Sequence, residues 1–225
     1  GGIDVVISAM MVHRDNSDFQ EIALKLLRIV CEEEEEIKLK VADGELGGVD
    51  AVITAMQQHR NNEAIQEIGA CNLSNLAINP EIISNVGDKG GIKILIRAML
   101  LHSDNSKLQA FSCRALWTLC ENEWNRAVAI NEKAITLVLD ALRGHGETTA
   151  VLESGFDLLS RLATNDDVAK IEIVEEGLDD ILLAMVRYRE NQKVYSKGID
   201  ALKNLFCDET ADGLEMQGVL QVISQ

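Results

Sequence analysis

The chain repeats itself. A glycine, replaced once by alanine, recurs at near-constant spacing at Gly2, Gly48, Gly91, Ala134 and Gly177, and Gly218 restarts the pattern. A period of about 40 residues confines a chain to stacked architectures, because one such unit cannot bury its own apolar face and needs neighbours to do so. The register holds within each block. An apolar residue follows every start (Ile3, Val49, Ile92, Ile135, Leu178, Val219), and alanine stands seven residues past it (Ala9, Ala55, Ala98, Ala141, Ala184). Met10, Met56, Met99, Leu142 and Met185 come next, and leucine stands 25 past every start (Leu27, Leu73, Leu116, Leu159, Leu202).

Each block predicts two long helices and one short one. Apolar residues three and four apart run from each start to His13 or its counterparts, the spacing of one helical face. A second long helix opens fourteen residues past the start at Asn16, Asn62, Asn105, Thr148 and Asn191. Such side chains accept hydrogen bonds from the unpaired N–H groups of a first turn. A small residue recurs within this helix (Ala23, Gly69, Ser112, Gly155, Gly198), as close approach to a neighbour requires. Shorter apolar pieces such as Ile82-Ile83 and Val128-Ala129-Ile130 link the blocks. The expected repeats are 1–46, 47–89, 90–132, 133–175 and 176–217, with another beginning over 218–225.

Composition narrows the function. Hydrophobic residues at 47% supply a core, while aromatics at 4% and one proline, Pro80, suit helices packed with Leu, Ile, Val and Ala. A formal charge of −16 argues against a nucleic-acid backbone as ligand. No apolar run reaches the roughly 18 residues of a membrane span, and no signal-peptide pattern opens the chain. It begins Gly1-Gly2 without a methionine, so it is expected to be cut from something longer. The five cysteines, Cys31, Cys71, Cys113, Cys120 and Cys207, lie in apolar helical runs without metal-ligand spacing. They read as reduced packing thiols of an intracellular, cytoplasmic or nuclear, protein. The acidic run Glu32 to Glu36 reads as a solvated turn between helices.

Catalytic chemistry finds no foothold. His13, His59, His102 and His145 each sit eleven residues past a start, with Tyr188 in the fifth place. Residues distributed along a stack at one helix-end position cannot converge on one metal or substrate. They are expected to serve the last carbonyls of their helices. Serine-hydrolase elbows, phosphate-cradling loops, zinc-protease and calcium motifs are absent. No metal, cofactor or enzymatic activity is expected.

The Gly-Gly-Ile entry and the run Ile68 to Ala77 (Ile-Gly-Ala-Cys-Asn-Leu-Ser-Asn-Leu-Ala) resemble the armadillo repeat family along the whole chain. The proline that often follows that entry is replaced by Asp4, Asp50, Lys93, Thr136 and Asp179, and the first link is longer by three. The resemblance implies an all-α fold, a right-handed α-solenoid of three-helix repeats. It also implies a scaffold or adaptor that binds a partner protein or extended peptide along a concave groove lined by the third helices.

At about 100° per residue, the face opposite the repeated leucine holds positions 20, 23 and 27 past each start. These are Ile22, Lys25 and Ile29; Ile68, Cys71 and Asn75; Phe111, Arg114 and Thr118; Ser154, Asp157 and Arg161; and Lys197, Asp200 and Asn204. Their variety contrasts with the uniform core positions. The expected groove residues are Cys71, Asn75, Phe111, Arg114, Trp117, Thr118, Asp157, Arg161, Asp200 and Asn204. Nuclear-import adaptors of the family carry Trp and Asn at positions 23 and 27; only Asn75 and Asn204 match, so a basic import signal is a poor fit. A catenin-type groove with basic rows is no better matched, since Asp157 and Asp200 hold two of the five places. Trp117 and Trp124 read either as binding hot spots or as packing between repeats. A second functional reading is the regulatory armadillo region of a larger signalling enzyme such as a kinase.

Overall fold

The computed structural model describes residues 1–42 and 46–206. Cys207, Gly218 and the expected start of a further repeat lie outside the described residues. Among those described there are thirteen helices and no strand. The second helices are α1 (Gly2–Val12), α4 (Gly48–Gln58), α7 (Gly91–Leu101) and α10 (Ala134–Gly144). The third helices are α2 (Ser17–Glu33), α5 (Glu63–Leu76), α8 (Ser106–Leu119), α11 (Thr149–Leu162) and α13 (Gln192–Phe206). Between repeats lie the short α3 (Glu35–Ala42), α6 (Pro80–Asp88) and α9 (Glu123–Asn131), while α12 runs over Asp167–Arg187.

The third helices pack side by side in chain order, and α1, α4, α7, α10 and α12 form a parallel row behind them. The resulting α-solenoid has one continuous core between the two rows. The repeated leucines Leu27, Leu73, Leu116, Leu159 and Leu202 anchor it, none more than 3% exposed. The small residue of the third helix marks where it presses on the second helix of its own repeat. A Cβ on Gly69 would stand 2.6 Å from Met56 Sδ, and one on Gly198 would stand 2.6 Å from Met185 Sδ.

Caps set the helix starts. Asn16, Asn62 and Asn105 accept from the backbone N–H of Phe19, Ile65 and Leu108 at 3.0, 3.1 and 2.8 Å. Thr148 makes no such bond. Asn79, Asn122 and Asp166 cap the inter-repeat helices in the same way, at 2.9, 3.1 and 2.9 Å.

Two sequence expectations are corrected. Glu32 to Glu36 is largely helical: Glu32 and Glu33 close α2, Glu34 alone is extended, and Glu35 and Glu36 open α3. Ion pairs between Arg28 and Glu32 at 3.2 Å and between Lys40 and Glu36 at 2.7 Å hold its ends. Each joins residues one turn apart, which lie on the same side of their helix. The short helix that closes the fourth block is not separate, because α12 runs unbroken from Asp167 through Gly177 for 21 residues, into the second helix of the fifth block. In the preceding blocks the residue before the start takes the left-handed conformation that stops a helix: Gly47 (φ 68°), Gly90 (φ 82°) and Lys133 (φ 66°). Glu176 stays helical. Gly177 instead permits close packing, since a Cβ there would collide with Leu139 Cδ2.

Candidate protein-binding surface

The face of the third-helix row that turns away from the core carries the residues at positions 20, 23 and 27. On α2, Lys25 pairs with Glu21 at 2.6 Å and Arg28 with Glu32 at 3.2 Å, beside the exposed Ile22 and Ile29. On α5, Ile68 and Cys71 are buried and form a floor. The half-buried Asn75 on this helix reaches both neighbours: its amide donates to Glu32 Oε1 at 3.4 Å, and its Oδ1 accepts from Arg114 Nη2 at 3.3 Å. Arg114 Nε donates to Ser74 Oγ at 3.0 Å, and the guanidinium lies 5.6 Å from the Phe111 ring centroid. A polar thread thus crosses α2, α5 and α8 over that floor, and each member restrains the next. Thr118 turns back on its own helix, its hydroxyl donating to the Arg114 carbonyl at 3.2 Å.

A second cluster spans α8, α11 and α13. The half-buried Trp117 packs on the core, with the Arg161 guanidinium 5.3 Å from its ring centroid. A cation over an indole face is drawn to the ring's negative quadrupole. Arg161 also faces Glu121 at 3.6 Å, and Asp157 pairs with Lys197 at 2.8 Å. The Asn204 amide donates to the Ser160 carbonyl, with Ser160 Oγ at 3.2 Å and Thr164 Oγ1 at 3.3 Å, so it ties α13 to α11. Asp200 stands apart and pairs along its own helix with Lys203 at 3.6 Å. Trp124, near the start of α9, is 72% exposed.

Between α2, α5 and α8 an open cavity of about 410 Å³ is lined by Lys25, Arg28, Ile29, Glu67, Ile68, Cys71, Lys107 and Phe111. Burial raises the Cys71 thiol above its ordinary range, and the Arg114 and Arg28 guanidiniums oppose that shift. Burial pushes Cys31 up to about 11 and Cys113 and Cys120 up to about 12, so these thiols stay protonated and inert. Among the described residues no group of three or more His, Cys, Asp or Glu side chains is placed to hold a metal ion. No described helix is long and apolar enough to cross a membrane.

The histidines work differently from the expectation. His59, His102 and His145 each place Nε2 against a carbonyl of the preceding repeat: Arg14 at 2.7 Å, Arg60 at 2.9 Å and Ser103 at 2.7 Å. The carbonyls at the ends of α1, α4 and α7 are served by buried glutamines. Gln20 donates to Met10 and His13, Gln66 to Met56 and His59, and Gln109 to Met99 and His102, at 2.8 to 3.1 Å. The signal was present in the sequence, since all three stand eighteen residues past their starts. A donor within reach of two carbonyls on the same stretch of chain outcompetes a ring that points along the stack. Lys107, on the cavity rim, was also missed, because position 16 faces the groove only once α8 lies beside α5.

A family model described as LRRK2 ARM repeat matches residues 4–219. The chain belongs to the LRRK2 ARM repeat family. No curated protein sequence matches it. Two crystal structures of engineered proteins resemble this armadillo solenoid. One superposes with a TM-score of 0.76 at 22% identity, over 98% of this chain and 86% of its own. The other has a TM-score of 0.74 at 20% identity, and this chain spans about half of it (100% of this chain, 51% of that one). At such identities the likeness concerns fold alone.

Proposed function

We propose that the chain is a non-catalytic interaction module, a scaffold or adaptor that binds a partner protein or extended peptide along the groove of its third helices. One observation carries the reading. Phe111, Arg114 and Asn75 lie together on the outward face of adjacent helices, joined by the Arg114–Asn75 bond at 3.3 Å, where packing does not dictate side-chain identity. Arginine is among the residue types enriched at binding hot spots, and aromatic rings such as that of Phe111 are enriched at interfaces. Trp117 and Arg161 extend the same surface toward α11. Buried, protonated free thiols at Cys31, Cys71, Cys113 and Cys120 support a reducing, intracellular setting.

The test is a pull-down with the intact protein, followed by the double variant Arg114→Glu with Asn75→Ala. Binding to the recovered partner should fall by about tenfold or more, with helicity and melting temperature nearly unchanged. A folded double variant that binds as tightly as wild type would rule the groove out. A second reading follows from the family resemblance. On that reading this solenoid is the regulatory armadillo region of a larger signalling enzyme, and the sequence of the whole protein decides it.

A further inference from the structure

Resting on the groove reading, we propose that the cavity between α2, α5 and α8 receives an acidic peptide segment with an aliphatic anchor. The anchor seats on the floor of Ile68, Cys71 and Phe111, and flanking Asp or Glu carboxylates pair with Lys107 and Arg114. Three observations carry this: the size of the cavity, its apolar base and the charge around it. The cavity, about 410 Å³ and open to one side, falls within the roughly 300–1,000 Å³ of clefts that hold ligand groups. Its base is apolar, with Ile68 9% and Cys71 3% exposed, and Ile29 stands at its edge, 46% exposed. Such a base rewards a branched apolar side chain and offers nothing to a charged one.

Charge then selects what surrounds the anchor. Two other cations of the cavity are matched by carboxylates, Lys25 by Glu21 and Arg28 by Glu32, as are Arg161 by Glu121 and Lys197 by Asp157 farther along the face. Among the described residues Arg114 is held by neutral groups, the Ser74 hydroxyl and the Asn75 amide oxygen, and makes no ion pair, so its orientation is fixed while its charge has no carboxylate partner there. No carboxylate pairs with Lys107 among the described residues, and it stands two helical turns from Arg114 with Phe111 between them. Glu67 lines the same cavity, and it accepts from the Asn105 amide at 3.2 Å. A pre-oriented guanidinium suits bidentate pairing with a carboxylate. The net charge of −16 repels an acidic ligand at long range. Screening over about 8 Å at physiological salt leaves the local cations to decide.

Fluorescence anisotropy with three labelled short peptides tests the proposal. The first surrounds a Leu-Leu pair with Asp and Glu; the second replaces the leucines with serine; the third replaces Asp and Glu with Asn and Gln. The first should bind about tenfold or more tightly than either counterpart, and added salt should weaken it. Lys107→Glu should weaken it about tenfold, and Lys107→Glu with Arg114→Glu should weaken it further, circular dichroism confirming the fold. Equal binding of the amide counterpart overturns the acidic preference. If Phe111→Ala then weakens both peptides, the groove reading survives that failure. If no peptide binds, or neither Lys107→Glu nor Phe111→Ala changes binding, the docking site itself is wrong. Lys107 is exposed, so its variant keeps the test open should Phe111→Ala unfold.

Discussion

Lys133 occupies the turn position that Gly47 and Gly90 fill in the earlier repeats, and it adopts their left-handed conformation at φ 66°. A side chain there costs about 1–2 kcal/mol, while glycine loses about 0.5–1 kcal/mol more backbone entropy on folding. The side chain is exposed and makes no ion pair among the described residues, so it returns little. Lys133→Gly should therefore stabilise the protein by about 0.5–1 kcal/mol, read as a higher urea midpoint; a lower midpoint would reveal a contact that Lys133 makes through its side chain. The strain could not be read from the sequence, because the block reads Lys-Ala where its neighbours read Gly-Gly and nothing local forces the turn. The histidines show the same boundary. Their common register at His59, His102 and His145 excluded a convergent site from sequence alone. Their acceptors, at Arg14, Arg60 and Ser103, belong to the preceding repeat, which no local pattern displays.

Glycines at the helix starts and ends have distinct jobs, which shows at the level of whole elements. Gly91 opens α7, and a Cβ on it would stand 2.8 Å from the Val86 carbonyl oxygen, a backbone atom that cannot rotate away. Gly144 closes α10 with nothing within 4 Å of the same point. Helix propensity alone favours alanine at both by about 1 kcal/mol. Gly91→Ala should instead destabilise by about 1–3 kcal/mol through overpacking, while Gly144→Ala should be neutral or stabilise by up to about 1 kcal/mol. Thermal melts of the pair decide it, and equal shifts would mean that α6 can retreat from α7. The helices themselves were legible because caps, apolar spacing and the repeat period agree. The fusion of α12 was not, since it turns on whether one residue, Glu176, leaves the helical region. On the candidate site, helical geometry alone put Phe111 and Arg114 on one face. The Arg114–Asn75 and Arg114–Ser74 contacts came only from the lateral stacking of α8 on α5.

A stack of repeats distributes stability by neighbour contacts, so each repeat is as secure as the faces it shares. Position 24 past each start shows this: Asn72, Ala115, Leu158 and Ala201 are buried, Asn72 donating to the Leu24 carbonyl of the preceding repeat at 3.0 Å, whereas Leu26 in the first is 41% exposed. The central α8 packs on both α5 and α11, and Leu116 is fully enclosed there. Leu116→Ala should cost about 2–5 kcal/mol, and the loss should not stay in one helix. Amide hydrogen exchange should quicken across α5, α8 and α11 together, because each loses a partner that held it, with α2 and α13 less affected. Leu27→Ala, equally buried at 1% exposure, should quicken exchange in α1 and α2 while leaving α8 and α11 protected. Mass-resolved exchange on both variants separates the two patterns. Uniform loss of protection from either substitution would mean that the described solenoid opens as a single cooperative unit, and that neighbour contacts do not set its local stability.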